Sequence, residues 1–232
     1  MPLDRVLEPE VMDGDAEAAD YDAMDHAAVN TRFVDDWLAT LRPRERAGLT
    51  DGSGAVVLDV GTGTALIPLE LLARTDVGHV VAVDAAAVML VRAGRHRRRL
   101  DRPGRLTLML ADAKRLPLAD GSCRAVVGNS LVHHIPEPVA AFAEMVRVTA
   151  PGGRLFVRDL LRPADEATLT QLVATHAGDA APSQRLLFAD SLRAALTVEE
   201  IAAFVARWGF PASTVAQTSD RHWTFAATKL AT

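Results

Sequence analysis

Ala55-Val56-Val57-Leu58-Asp59-Val60-Gly61-Thr62-Gly63-Thr64-Ala65 is the stretch whose reading decides the fold. Its first half is a short, nearly continuous apolar run that ends in glycines, as a strand buried on both faces should. The pattern then repeats downstream. Thr64 to Arg74 reads as a helix, Val80 to Asp84 as a second strand and Ala86 to Arg99 as a second helix. Leu106 to Leu110 gives a third strand and Ala125 to Asn129 a fourth. Pro138 to Val148 is helical, and Pro151-Gly152-Gly153 is expected to turn into a fifth strand, Arg154 to Leu160. Strands alternating with helices at this spacing predict an α/β fold with a parallel sheet.

Upstream, the first 20 residues are acidic and weakly periodic, which suits a mobile arm. From Tyr21 to Leu41 the residues Met24, Ala27, Ala28, Phe33, Val34, Trp37 and Leu38 recur at helical spacing. Pro43 and Gly52-Ser53-Gly54 are expected to close this helical region. Beyond the fifth strand, 164–196 reads as two helical segments broken near Gly178 to Pro182, followed by a helix over Val198–Trp208. Ala212–Thr218 and His222–Lys229, parted by a short Ser-Asp-Arg turn, predict an antiparallel hairpin at the sheet edge. The expected architecture is Rossmann-like and doubly wound, a mostly parallel seven-stranded sheet with that C-terminal hairpin. Residues 1–45 would form an arm and helical lid on the domain 46–232, with a helical cap insertion at 164–196.

Of the 232 residues, 49% are hydrophobic and 24% charged, which is globular composition. A net charge of −5 argues against general nucleic-acid binding. The cluster Arg92, Arg95, His96, Arg97, Arg98, Arg99, Arg102 and Arg105 fits a solvated helix end better than a nucleic-acid surface, because no aromatics are interleaved for base stacking. The single cysteine, Cys123, excludes an internal disulfide. No signal-like segment or apolar span of membrane length is present, so the expectation is a cytoplasmic protein without a membrane span, monomeric or homodimeric.

In an open α/β sheet the ligand sits outside the carboxyl ends of the strands, where the strand order reverses. Three acids lie at those ends. Asp59 stands two residues before Gly61, Asp84 ends the second strand and Asp112 follows the third. A carboxylate at Asp84 suits a ribose diol, and one at Asp112 an adenine amino group; capping of the next helix is the competing role for Asp84. A dinucleotide would require glycine at position 66, where Leu66 stands, and Asp59 is a poor neighbour for phosphate. It is a good neighbour for an adenosine carrying cationic sulfonium and ammonium groups.

Val57 to Thr64 followed by Val81-Ala82-Val83-Asp84 resembles the first two motifs of class I S-adenosylmethionine (SAM)-dependent methyltransferases. Leu110-Ala111-Asp112-Ala113, Leu116-Pro117-Leu118, Asn129 to Ile135 and Ala150 to Leu155 resemble the later motifs in the right order. The match is nearest to the small-molecule branch that includes quinone-biosynthesis enzymes. Two departures are Ala65 at the third small position and Cys123-Arg124 where an aromatic–acid pair is usual. The resemblance implies SAM as cofactor and methyl transfer to a small molecule, with a non-catalytic SAM-binding module as the alternative. It places Asp59, Gly61, Thr62 and Gly63 by the methionine part, Asp84 and Ala85 at the ribose, Asp112 and Ala113 at the adenine, and Asn129 and Ser130 on the floor.

Candidates for chemistry lie beyond the fourth and fifth strands. His133, His134 and Asp159 are the expected catalytic set, a histidine serving as base; a structural histidine, or pairing of Asp159 with Arg158 or Arg162, is the competing account. Tyr21 and His26 of the lid, in a segment that also holds Asp25, together with Arg158, His222 and Trp223, are expected to touch the acceptor. Core packing is the plainer role for Tyr21 and Trp223. No metal site is expected, since His133 and His134 are sequential neighbours and such pairs rarely share an ion.

Overall fold

The structure is a computed structural model that describes residues 3–11, 13–23, 26–50 and 55–230. Met24, Asp25 and the Gly52-Ser53-Gly54 turn lie outside the described residues. Strands β1 (Val56–Val60), β2 (His79–Asp84), β3 (Leu106–Leu110), β4 (Cys123–Asn129), β5 (Thr149–Leu160), β6 (Val215–Gln217) and β7 (His222–Thr228) form one sheet in the order β3-β2-β1-β4-β5-β7-β6. β1 pairs in parallel with both β2 and β4, as in Val57↔Val80 and Val57↔Ala125, and β2 pairs in parallel with β3. The chain winds outward from β1 to β3 on one side and continues from β4 on the other, so the order reverses beside β1. β6 and β7 are antiparallel, with Val215 opposite Phe225.

The chain forms two compact units. The larger comprises Val11–Asn129, Val139–Phe156 and Ala226–Thr232. It holds helices α1 (Asp15–Ala23), α2 (Ala27–Thr40), α3 (Pro43–Thr50), α4 (Leu66–Arg74), α5 (Ala87–Arg97) and α6 (Pro138–Val148). The expected helical region from Tyr21 holds the end of α1 at Ala23 and the start of α2 at Ala27, with His26 at the N-cap position of α2. α2 buries Phe33, Val34 and Trp37 in a core with Val57, Leu71, Val80 and Val127, and Phe33 meets Phe156 edge-on at 5.2 Å. Pro43 opens α3 instead of closing the region, because its fixed φ suits a first helical turn and its absent N–H is not missed there. Glu45 in turn accepts the Arg42 N–H at 2.7 Å.

β5 is longer than expected and takes in Pro151-Gly152-Gly153, where the chain turns at Gly152 with φ +71°. Gly152 donates to the Lys229 carbonyl at 2.8 Å, and the Lys229 N–H returns to Gly153 at 2.9 Å. A Cβ on Gly153 would lie 2.8 Å from the Ala150 oxygen and 2.9 Å from the Arg124 oxygen. Glycine is required there both by the local turn back toward Ala150 and by the close approach of Arg124.

The smaller unit comprises Met1–Glu10, Ser130–Pro138 and Val157–Phe225, and includes α7 (Glu166–Ala177), α8 (Pro182–Ala194) and α9 (Val198–Val205). Leu160, Leu169, Leu172, Ala189, Leu192 and Ala195 form its core, joined by Leu3 and Phe188. Thr197 and Glu200 close a reciprocal capping box at the start of α9. That helix stops at Val205, and a 3-10 turn, Ala206–Trp208, replaces its expected last turn before Gly209 at φ +78°. Ala212–Thr214 is likewise a 3-10 turn, leaving β6 only three residues. Within this unit the first residues are no free arm. Val6 donates to Arg193 O at 3.1 Å, and the Arg5 guanidinium reaches the carbonyls of Ala194 at 2.7 Å, Ile135 at 2.9 Å and Pro136 at 3.0 Å.

Candidate functional site

The larger unit carries the glycine loop. β1 delivers Asp59 and Val60 to Gly61-Thr62-Gly63, and three left-handed residues, Gly61 (φ 71°), Gly63 (φ 54°) and Ala65 (φ 63°), fold the loop back into α4. The N–H groups of Gly61 and Thr62 both donate to Val83 O at 2.9 Å, which ties the loop to β2. Asp84 fixes it from below: Oδ2 accepts Gly63 N at 2.7 Å and Oδ1 accepts Ala86 N at 2.8 Å, just before α5. The two roles proposed for Asp84 are thus not exclusive, since one carboxylate braces the loop and starts the helix.

Asp59 is the most perturbed acid of this loop. It is 2% exposed, and burial pushes its carboxyl up to about 7, with the nearby Asp84 charge adding and the Thr62 hydroxyl opposing. Its Oδ2 and the hydroxyls of Thr62 and Thr64 are buried without a hydrogen bond of good geometry. The Thr62 hydroxyl leans toward Asp59 and that of Thr64 toward Asp22, so Asp59 Oδ2 is the acceptor that a ligand's donor or positive charge would satisfy. An ammonium-bearing adenosyl amino acid meets that demand, and a pyrophosphate does not.

Around the loop, Tyr21 places its ring 3.6 Å from where a Cβ on Gly63 would lie, and burial beside Asp84, Asp59 and Asp22 raises its phenol. The Tyr21 ring stands 4.5 Å from that of His26, whose Nε2 meets the Tyr21 carbonyl at 2.8 Å. Ala85 is exposed and Ala113 buried. Asp112 is half-exposed and holds Lys114 through its N–H at 2.8 Å and its Nζ at 3.1 Å. Asn129 ends β4, partly exposed.

The smaller unit carries the histidines. Ser130, at φ 53°, donates to Arg158 O at 2.9 Å and precedes the 3-10 turn Val132–His134. His133 is 4% exposed and its Nδ1 lies 2.5 Å from Asp159 Oδ1. Asp159, 1% exposed, also accepts the N–H groups of Val132 and of Leu160, the latter at 2.6 Å. Burial works against both charges, yet the pairing prevails: Asp159 is held below the usual carboxylate range and His133 is lifted by Asp159 and Glu8. Of the two arginines considered as partners for Asp159, Arg162 instead pairs with Glu200 at 2.8 Å, and Arg158 Nε donates to Thr224 at 3.1 Å. His222 binds the Ser219 hydroxyl at 2.8 Å, and burial followed by Arg221 and Arg158 lowers it to about 4. Trp223 is wholly buried.

Glu8 was not visible as a site residue in the sequence, where it is one acid among many. Its Oε1 lies 2.8 Å from His134 Nδ1 and 3.5 Å from His133 Nε2, while Ser191 donates to Oε2 at 3.1 Å.

Comparison with known proteins gives a concordant picture. A methyltransferase domain family matches residues 58–157. A demethylmenaquinone methyltransferase of Renibacterium salmoninarum is 34% identical over 183 residues, covering 72% of this chain and 73% of that protein. Another, from Mycobacterium sp. (strain JLS), is 40% identical over 124 residues, 53% of this chain and 50% of that protein. The chain thus spans about half the length of that mycobacterial relative. Among solved structures, a putative SAM-dependent methyltransferase from Methanococcus maripaludis superposes with a TM-score of 0.63 at 12% identity, covering 98% of each chain, a likeness of fold alone.

Proposed function

Because the chain belongs to the SAM-dependent methyltransferase family, we propose that it transfers a methyl group from that cofactor to a small-molecule acceptor. The observation that carries this reading is the buried Asp59 beside a glycine loop braced by Asp84, with Asp59 Oδ2 free of any hydrogen bond of good geometry. Gly61, Thr62 and Gly63 would pass under the methionine part, with Asp59 facing its ammonium. Asp84 and Ala85 would hold the ribose, Asp112 and Ala113 the adenine, and Asn129 and Ser130 the floor. When bound, the cofactor supplies an electrophilic methyl on a sulfonium, so the chain's task is alignment and exclusion of water, worth roughly 7–11 kcal/mol in favourable cases.

His133, His134 and Asp159 are the acceptor-activating cluster in this reading. Asp159 fixes the His133 ring through Nδ1 and leaves Nε2 facing Glu8. Tyr21, His26, Arg158 and His222 are the proposed acceptor contacts. Trp223 is fully buried, so its part in this reading is support of β7 and not contact with the acceptor. The relatives are named for demethylmenaquinone, which favours a quinone-type aromatic acceptor here.

Transfer of labelled methyl from SAM to a panel of quinols, phenols and amines tests the reading. Turnover with an aromatic acceptor, lost in Asp84→Ala, is expected. Tight SAM binding with no transfer to any acceptor would instead make the chain a cofactor-binding module.

A further inference from the structure

We propose that Glu8, His133 and His134 form a binding site for one divalent transition-metal ion, with Asp159 holding His133 in the ligating tautomer. The site goes beyond the methyl-transfer reading and stands on its own geometry. One ligand atom from each of the three residues lies within 4.8 Å of the others. Bonds of about 2.0–2.2 Å to one ion place donor pairs about 3.4 Å apart in a tetrahedron and about 2.9 Å apart across an octahedral edge. Glu8 Oε1 stands 3.5 Å from His133 Nε2 and 2.8 Å from His134 Nδ1, close to those two edges.

The surroundings are built for it. The Asp159 carboxylate takes the Nδ1 side of His133 and leaves Nε2 facing Glu8, the carboxylate–histidine arrangement that orients metal ligands. His134 Nδ1 is buried and has Glu8 Oε1 as its neighbour at 2.8 Å, so both ring nitrogens converge on one carboxylate oxygen that an ion would share. Side-chain exposure is 5% for His133, 15% for His134 and 11% for Glu8, so none is a loose surface group.

Sequential histidines rarely share an ion because their side chains diverge. Here the 3-10 turn brings the rings to a centroid distance of 4.1 Å at 36°, and the two residues offer different nitrogens, Nε2 and Nδ1. That is how neighbours in sequence reach one point. Two imidazoles and one carboxylate suit zinc, iron, cobalt or nickel better than magnesium or calcium. Three protein donors leave a position open for water or for an oxygen of a small molecule.

The test uses the full chain stripped of metal and titrated with cobalt(II) chloride, read by its visible absorption, followed by competition with zinc chloride. Wild type is expected to saturate at one ion per chain. Glu8→Gln and His134→Gln should each weaken binding by about tenfold or more, and Asp159→Asn by about 10–100-fold. Folding of each variant is checked by circular dichroism, and His134→Gln decides if Glu8→Gln fails to fold. Absence of saturable binding by folded wild type, or equal binding in the variants, overturns the site. S-adenosylhomocysteine is titrated into the same metal-free sample. Retained binding of that ligand beside absent cobalt binding sinks the metal site alone, and the reverse pattern sinks the methyltransferase reading alone.

Discussion

Asp59 and Asp159 are both fully buried acids within strands, and their acidities are shifted in opposite directions. Asp159 has a histidine and backbone N–H donors around it and is held ionised. Asp59 has the Thr62 hydroxyl leaning toward it, an unpaired Oδ2, a second acid nearby and a carboxyl pushed up to about 7. Burial penalises a charge wherever it occurs, so the difference lies wholly in partners. A satisfied buried acid positions something within the protein. An unsatisfied one has an acceptor to offer a ligand.

The contrast breaks most visibly in stability. Asp159→Ala strips the partners from a buried imidazole and three backbone donors, Val132, His133 and Leu160, and should lower unfolding free energy by about 3–5 kcal/mol in urea titration at pH 8. Asp59→Asn, in ligand-free protein under the same conditions, should show no loss, because it removes a charge that the fold does not compensate. Equal losses in the two variants would erase the distinction.

The pH profile sharpens it next. Asp59 has a folded pKa raised above its unfolded value of about 3.9, so its contribution to stability is fully present below about pH 4 and is lost as pH rises through 7. The span is on the order of 4 kcal/mol, and the difference between wild type and Asp59→Asn melting profiles isolates it. A flat difference between pH 4 and 8 would mean that Asp59 has an ordinary pKa.

The two acids also differ in how far the sequence revealed them. The larger unit was legible because its signals are local: each interior strand is a run of apolar residues, and Gly61, Gly63, Asp59 and Asp84 fall at strand ends where topology places ligands. The resemblance to a methyltransferase family rested on those same segments. His133 and Asp159 were named, but their pairing was not deducible, and Arg158 or Arg162 looked equally suitable as partners. Glu8 was invisible, because 125 residues separate it from His133 and no periodicity marks it. Turn chemistry misled at Pro43, which starts a helix; at Pro151-Gly152-Gly153 the turn is present at Gly152, and pairing with Lys229 draws it into the strand.

Calorimetric titration with S-adenosylhomocysteine at pH 6 and pH 8 tests the central claim, that Asp59 is kept for the cofactor's cationic end. With a carboxyl near 7, only about a tenth of Asp59 is ionised at pH 6, so wild type should bind about tenfold more weakly there than at pH 8. Asp59→Asn should bind more weakly at pH 8 by about tenfold or more, the worth of one charge-assisted hydrogen bond, and show no pH dependence. Affinity that is equal at both pH values and unchanged in Asp59→Asn would contradict the account.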